Sequence, residues 1–163
     1  MAVARRSFGL LHGTHGKFDY TDLGRIGVAG PNDSEVGMIV VVVEDLIFLS
    51  KIQQTAKEVG VQIESLNPDK LAERITRGTV SAVIIDLNHR SGAAVDVVRA
   101  LKSDPSTRLI QITGFLSHVQ ADLATAAREA GCDHILARSK FTQQLPELLL
   151  QLAGEETPSS PQV

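Results

Sequence analysis

Short apolar runs alternate with amphipathic segments along the chain from Met38 to about Leu152. The runs are rich in β-branched residues and lack alternating polar positions, which is typical of strands that are buried on both faces. The segments between them carry apolar residues at helical spacing and end at glycine or proline. Because parallel strands are joined only by crossovers, this alternation predicts a parallel sheet with helices on both faces.

The predicted fold is a five-stranded α/β domain of the flavodoxin-like, doubly wound class with strand order 2-1-3-4-5, the common arrangement at this size. In that order the first and third strands are neighbours. The fourth helix is predicted to open at Ser117 with capping-box spacing, and the last helix is predicted to span 141–152. The predicted strands span residues 38–43, 61–65, 81–86, 109–113 and 134–137.

The two ends of the chain differ from its middle. Residues 1–37 carry glycines at short intervals and a string of turn formers, which predicts a flexible N-terminal extension. Residues 154–163 are polar and contain proline and serine, which predicts a disordered tail. The segment 38–153 between them is predicted to be one domain, since 163 residues with 43% hydrophobic content support a single core.

Charge, hydropathy and cysteine content narrow the class of protein. A net charge of -3, a pI of about 5.9 and no basic stripe weigh against nucleic acid as a direct partner. No apolar run reaches the roughly 18 residues that a membrane span needs. The single cysteine, Cys132, cannot form an internal disulfide, and no long apolar segment follows Arg5 and Arg6 as in a secretory signal. The sequence therefore predicts a cytoplasmic protein.

Carboxylates follow two of the predicted strands. Glu44 and Asp45 come directly after the first strand, and Asp86 ends the third. Because the carboxyl ends of neighbouring parallel strands meet at one sheet edge, where ligands of such sheets bind, these three side chains are expected to converge. Close carboxylates repel one another unless a cation relieves them, and Mg²⁺ is the hard divalent ion best suited to such oxygen ligands.

Other polar groups are predicted at the same edge. Thr113 ends the predicted fourth strand with a hydroxyl, and Arg138 and Lys140 follow the fifth strand with positive charge. A carboxylate nucleophile, a metal, a hydroxyl donor and basic groups are the components of a phosphoryl-transfer site with an aspartyl-phosphate intermediate.

With these features, the chain from its first to its last predicted element resembles the receiver domain of two-component response regulators, the CheY-like domain. The resemblance implies that Asp86 accepts a phosphoryl group and that Thr113 is the switch hydroxyl. It also implies that Asp45, Asp86 and the backbone carbonyl of Asn88 hold Mg²⁺, with help from Glu44.

The resemblance also implies a function and partners. The chain would be a stand-alone signalling switch and not an enzyme, phosphorylated by a histidine kinase or phosphotransfer protein and acting on a downstream protein by contact. The implied contact face is the fourth helix, fifth strand and last helix, a face that would also serve a homodimer. A phosphohydrolase with an aspartate nucleophile is disfavoured, because Asn88 stands where such enzymes carry a second aspartate.

Several positions depart from the family pattern, and two interpretations stay open. Arg138 and Ser139 replace a Lys-Pro pair, and Ile135 replaces an aromatic switch. In the first interpretation Asp86 is phosphorylated, and Arg138 or Lys140 takes the part of the lysine. In the second, the chain is a pseudo-receiver, a phosphorylation-independent protein–protein interaction module whose acids are locked by Arg138 in place of a metal.

Overall fold

The computed structural model of the protein describes residues 37–117 and 120–154, and within them strands and helices alternate as predicted. The strands are β1 (Met38–Val42), β2 (Ile63–Ser65), β3 (Val80–Asp86), β4 (Gln111–Leu116) and β5 (His134–Ala137). The helices are α1 (Leu46–Val59), α2 (Pro68–Arg77), α3 (Ala94–Ser103), α4 (Ala121–Glu129), α5 (Arg138–Gln143) and α6 (Leu145–Ala153).

The strands form one parallel sheet in the order β2-β1-β3-β4-β5, which confirms the predicted topology. β1 and β3 are neighbours, with Val42 opposite Ile85. β3 and β4 are also neighbours, with Asp86 opposite Phe115. The carboxyl ends of these strands therefore reach the same edge of the sheet.

Both faces of the sheet are buried beneath helices. On one face Val42 of β1 belongs to the same core as Val98 of α3. On the other face Val41 shares a core with Ile52 of α1 and Leu149 of α6. This burial on both sides explains why the strands are unbroken apolar runs in the sequence.

The first helix has clear signals at both ends. Asp45 precedes it, and its side chain accepts hydrogen bonds from the backbone N–H groups of Ile47 and Phe48. Gly60 follows it in the left-handed conformation, with φ at 77°, which glycine adopts at little cost. The N-cap matters for function, because it fixes the position of Asp45 at the edge of the sheet.

The fourth strand lies further along the chain than predicted. β4 continues to Leu116, so Thr113 lies inside the strand rather than at its end. The strand was predicted to end at Thr113, directly before Gly114. In the structure Gly114 lies within the strand, where an added Cβ would come within 3.0 Å of Leu87 and 3.1 Å of the Cys132 sulfur. Glycine is therefore required here by close packing and not by a turn.

Two predicted helices near the end of the chain need correction. α4 begins at Ala121 and not at Ser117, because β4 takes up residues that were assigned to the preceding loop. The single helix predicted for 141–152 is two helices, and Gln144 separates α5 from α6. Pro146 stands in the first turn of α6, where its missing N–H is no loss and its fixed φ favours a helix start.

The predicted extension 1–37 and tail 154–163 lie outside the described residues, apart from Gly37 and Gly154. The predicted boundaries of the domain 38–153 therefore stay a prediction. Among the helices of residues 37–117 and 120–154, none has the length and apolar character needed to cross a membrane.

Candidate functional site

An open pocket of about 520 Å³ lies at the carboxyl edge of the sheet. Carboxylates reach it from the ends of β1 and β3, a hydroxyl from the end of β4 and a guanidinium from the residue after β5. The lining residues are Glu44, Asp45, Leu46, Ile47, Asp86, Asn88, His89, Arg90, Ser117 and Arg138.

Asp86 is the last residue of β3, and its side chain is only 10% exposed. Its Oδ1 accepts the backbone N–H of Asn88 at 2.9 Å, and its Oδ2 lies 3.6 Å from Nη2 of Arg138. Burial raises the pKa of Asp86, while the Asn88 N–H and the charge of Arg138 act in the opposite direction. Because Oδ1 is held by the backbone, Oδ2 is the oxygen available for chemistry.

Asp45 uses its two carboxylate oxygens differently. Oδ1 caps α1 by accepting the N–H groups of Ile47 at 3.1 Å and Phe48 at 3.0 Å. Oδ2 lies 3.3 Å from Nη1 of Arg138. The Phe48 N–H, followed by the charge of Arg138, lowers the pKa of Asp45. The guanidinium of Arg138 therefore faces the carboxylate of Asp45 as well as that of Asp86.

Arg138 bridges the two acids, because its terminal nitrogens reach different carboxylates. Its guanidinium carbon also lies 4.3 Å from the ring centroid of Phe48 and 5.8 Å from that of Phe115. A planar guanidinium stacks on aromatic faces, whereas a lysine ammonium presents no such plane. Arg138 is thus held by ion pairs on one side and by aromatic rings on the other.

The aromatic cluster beneath Arg138 was not predicted from the sequence. The ring centroid of Phe48 lies 5.1 Å from that of Phe115 and 5.8 Å from that of Phe141. The centroids of Phe115 and Phe141 are 4.6 Å apart. The rings come from α1, β4 and α5, so only the folded chain brings them together. The available signal was local: Phe48 follows Asp45, and Phe141 follows Arg138, each by one helical turn.

Glu44 does not join the other two acids. It faces the loop after β3, where its Oε2 accepts the backbone N–H of Arg90 at 3.2 Å and its Oε1 lies 3.8 Å from the Arg90 Nε. All three carboxylates line the same pocket, but their partners differ: Asp45 and Asp86 meet at Arg138, whereas Glu44 is paired with Arg90. Within the described ranges, no three His, Cys, Asp or Glu side chains are grouped so as to hold a metal ion.

The donors that the resemblance assigns to Mg²⁺ do not fit a resident divalent ion in this arrangement. The Oδ1 atoms of Asp45 and Asp86 are engaged by backbone N–H groups, and both Oδ2 atoms face Arg138. Mg²⁺ requires near-octahedral oxygen ligation, and the backbone carbonyl of Asn88 alone would not supply it. A divalent ion between the two acids would also meet the guanidinium at close range.

Asn88 joins two loops of the pocket through its side chain. Its Oδ1 accepts the N–H of Ser117 at 2.8 Å and the Ser117 hydroxyl at 3.2 Å. Its Nδ2 donates to Oε1 of Gln120 at 2.9 Å, immediately before α4. Sequence reasoning missed Ser117 because it assigned this residue to a helix cap. If the fourth strand had been predicted to end at Leu116, Ser117 would have been recognised as the hydroxyl that follows it.

Two residues predicted for the site lie elsewhere. Thr113 is fully buried opposite Ile84, and its Oγ1 finds no hydrogen-bond partner in the described part of the chain. Lys140 is exposed on α5 and takes part in none of the ion pairs among the described residues. The hydroxyl and the cation that line the pocket are those of Ser117 and Arg138.

Solved receiver domains share this fold. The chain is similar to the receiver domain of a sensor histidine kinase from Pseudomonas aeruginosa PAO1 with a magnesium ion coordinated in its active-site cleft (TM-score 0.63, 16% identity, 73% of this chain and 98% of that one). It is similar to the phosphorylated cyanobacterial phytochrome response regulator RcpA (TM-score 0.62, 15% identity, 76% and 99% covered). It is also similar to the chemotaxis response regulator CheY4 of Vibrio cholerae (TM-score 0.62, 12% identity, 72% and 98% covered).

The chain therefore has the fold of response-regulator receiver domains, as the resemblance implied. No protein-family model and no curated protein sequence matches it. Because the three identities do not exceed 16%, the likeness extends to the fold, and the chemistry of the pocket must be argued from its own residues.

Proposed function

We propose that this chain is a receiver-type signalling switch in which Asp86 accepts a phosphoryl group from a histidine kinase or a phosphotransfer protein. The proposal rests on one observation, the arrangement of Asp86, Arg138 and Ser117 around an open pocket at the carboxyl edge of a receiver fold. Asp86 supplies the nucleophile, Arg138 a positive charge and Ser117 a hydroxyl.

In the proposed step, Oδ2 of Asp86 attacks the phosphorus of a phosphohistidine. The bond between phosphorus and the imidazole nitrogen breaks, its electron pair stays on that nitrogen, and Asp86 becomes an acyl phosphate. Nη2 of Arg138 lies 3.6 Å from Oδ2 and would offset the negative charge of the transferring group. Cationic side chains stabilise phosphoryl transfer in this way.

The switch hydroxyl of the proposal is that of Ser117 and not that of Thr113. Phosphoryl oxygens are strong acceptors and would compete with Asn88 for the Ser117 hydroxyl. Loss of the hydrogen bond from the Ser117 hydroxyl to Asn88 would weaken the link from Asn88 to Gln120 at the start of α4. The proposed switch is this change, which shifts the loop before α4 between two conformations. Ile135 has no ring to rotate, so the proposed signal passes through this link.

The proposed output is a protein contact. The surface formed by α4, β5 and the helices after it would bind a downstream protein or a second copy of the chain, as the resemblance implies. Direct binding to nucleic acid, a catalytic activity beyond self-phosphorylation and self-dephosphorylation, and a location outside the cytoplasm are not part of the proposal. Magnesium is not part of it either, because the donors in the pocket do not fit a resident ion.

A second function, a phosphorylation-independent interaction module, is favoured by one specific observation. Arg138 already pairs with both Asp45 and Asp86 in the structure, so the two acids have a cation partner without a phosphoryl group or a metal. In such a module, the loops at the carboxyl edge of the sheet would form a binding surface with one fixed conformation.

The experiment that tests the proposed function is phosphorylation by acetyl phosphate, a small acyl-phosphate donor, followed by intact-mass spectrometry. We expect the wild type to gain one phosphoryl group and Asp86→Asn to gain none. Asp122→Asn is the matched control, because it removes an exposed carboxylate of α4 that is not among the residues lining the pocket, and it should behave as the wild type does. A wild type that gains no phosphoryl group would leave the interaction module as the function.

A further inference from the structure

We propose that Arg138 is the resident cation of this pocket: its guanidinium takes the place between Asp45 and Asp86 that a divalent ion would need, so the pocket does not bind Mg²⁺. The inference deepens the proposed function and rests on it for the phosphoryl chemistry. Its consequence is that Asp86 would receive a phosphoryl group with an arginine, and not a metal, as the cation beside it.

All four oxygens of the two acids already have partners. The Oδ1 atoms accept backbone N–H groups, from Ile47 and Phe48 in one acid and from Asn88 in the other. The Oδ2 atoms face separate nitrogens of the same guanidinium, at 3.3 Å and 3.6 Å. A metal that bridges the two Oδ2 atoms would have to displace the guanidinium that now lies against both of them.

The aromatic rings hinder that displacement. The guanidinium lies over the ring of Phe48 at 4.3 Å, and Phe48 is itself packed against Phe115 and Phe141. The Arg138 Nε is buried, so the stem of the side chain is enclosed as well. Stacking and ion pairing therefore favour the same position of the guanidinium. A lysine at this position would lack the stacking interaction and could move aside more easily.

Electrostatics oppose a second cation. The guanidinium of Arg138 carries a positive charge of its own. Like charges repel more strongly in a half-buried site than in water, since the effective dielectric constant is lower there. Glu44 gives no help to a metal, because its carboxylate is turned towards Arg90. The pocket thus has one buried acid, Asp86, one exposed acid, Asp45, and one cation already in place.

The test is a titration of the protein with MgCl₂ at constant ionic strength, followed by amide NMR spectra. We expect no saturable shift at Asp45, Asp86 and Asn88 in the wild type. We expect one in Arg138→Gln, which removes the guanidinium charge and frees both Oδ2 atoms. A saturable shift centred on these three residues in the wild type would overturn the inference, and so would its absence from both proteins.

Lys140→Gln is the matched control for charge. It removes one positive charge from the same helix at an exposed side chain that makes no ion pair within the described residues. It should bind Mg²⁺ no better than the wild type; a gain equal to that of Arg138→Gln would show a general charge effect and overturn the role of Arg138. If Arg138→Gln loses its native amide dispersion, Phe48→Leu replaces it, because that change removes the aromatic support and leaves the charge.

Phosphoryl transfer is measured separately. Intact mass after acetyl phosphate treatment, measured once with MgCl₂ and once with EDTA, reports on the proposed function, whereas the MgCl₂ titration reports only on the cation site. A wild type that gains no phosphoryl group under either condition, and that binds no Mg²⁺ while Arg138→Gln does, would keep the inference about Arg138 and end the proposed function. A wild type that binds Mg²⁺ and is phosphorylated would do the reverse.

Discussion

Single residues decide which hydroxyl belongs to the pocket. Thr113 and Thr107 are both buried threonines, but they differ in hydrogen bonding. The Oγ1 of Thr107 donates to the carbonyl of Leu101 at 2.6 Å, whereas the Oγ1 of Thr113 has no partner in the part of the chain that the structure describes. This difference gives a direct test of the position of Thr113.

Replacing Thr113 by valine should stabilise the fold, by about 1 kcal/mol, because it removes a buried polar atom without a partner and keeps the shape. Thr107→Val, the matched control, should destabilise the fold by about 1 kcal/mol, since it breaks a buried hydrogen bond. Urea unfolding of both variants measures these changes. A Thr113→Val variant as unstable as Thr107→Val would show that the Thr113 hydroxyl is bonded after all.

Cys132 is predicted to be unreactive in the folded protein. Burial raises the pKa of its thiol to about 11, so almost no thiolate is present near neutral pH. We expect a thiolate-specific reagent at pH 8 to modify the native chain slowly and the urea-unfolded chain at the ordinary rate of a free cysteine. Equal rates in the two states would contradict the burial of this side chain.

The sequence predicted the residues of the site unevenly, for a physical reason. Asp45, Asp86 and Arg138 were placed correctly because each lies next to a strand end that apolar patterning defines well. Thr113 was misplaced because close packing, and not a turn, requires the glycine that follows it. Ser117 was missed because β4 ends at Leu116 and not at Thr113, so the hydroxyl that follows the strand is that of Ser117.

At the scale of elements, Asp45 links the start of α1 to the pocket. Asparagine is a good N-cap and would keep the bonds to the helix, but it would lose the charge that faces Arg138; alanine would lose both. We therefore expect the melting temperature to fall from wild type to Asp45→Asn and further to Asp45→Ala. A melting temperature of Asp45→Ala equal to that of Asp45→Asn would show that the cap contributes nothing.

The advantage of the wild type over Asp45→Asn should depend on pH. The pKa of Asp45 is lowered in the folded protein, so the folded state binds a proton less readily than the unfolded state does. The stabilisation is therefore complete above the ordinary carboxyl pKa and is lost as the pH falls through the lowered one. Thermal melts of both proteins between neutral and acidic pH measure this, and a pH-independent difference would contradict the ion pair with Arg138.

Among the elements, strand order and most helix positions were predictable, because a sheet buried on both faces leaves apolar runs that are hard to misread. The break between α5 and α6 was not predicted. Phe141 is followed at helical spacing by Leu145, Leu148 and Leu149 beyond Gln144, and this apolar pattern hides a break that Pro146 and the early start of α5 produce. Periodicity reports which residues are buried, but not whether the backbone is continuous.

For the whole molecule, the fold is shared with proteins that have few residues in common with this chain. The three receiver neighbours described above share at most 16% of residues with this chain, yet the described residues keep the receiver topology. Many apolar sequences satisfy the same two-sided core, so fold tolerates divergence. A functional site tolerates less divergence, because each of its polar groups needs a specific partner. In this chain the pocket is defined by Arg138, which meets both acids.

The most direct measurement is the amide NMR spectrum of the wild type before and after addition of acetyl phosphate, with EDTA present. If Asp86 is the acceptor and Arg138 the cation beside it, the largest changes will fall on Asp86, Asn88, Ser117 and Arg138, and they will vanish in Asp86→Asn. Thr113 should change little, since it lies inside the sheet. A spectrum that stays unchanged, or one that changes equally in Asp86→Asn, would contradict phosphoryl acceptance by Asp86 with Arg138, and no metal, as the cation beside it.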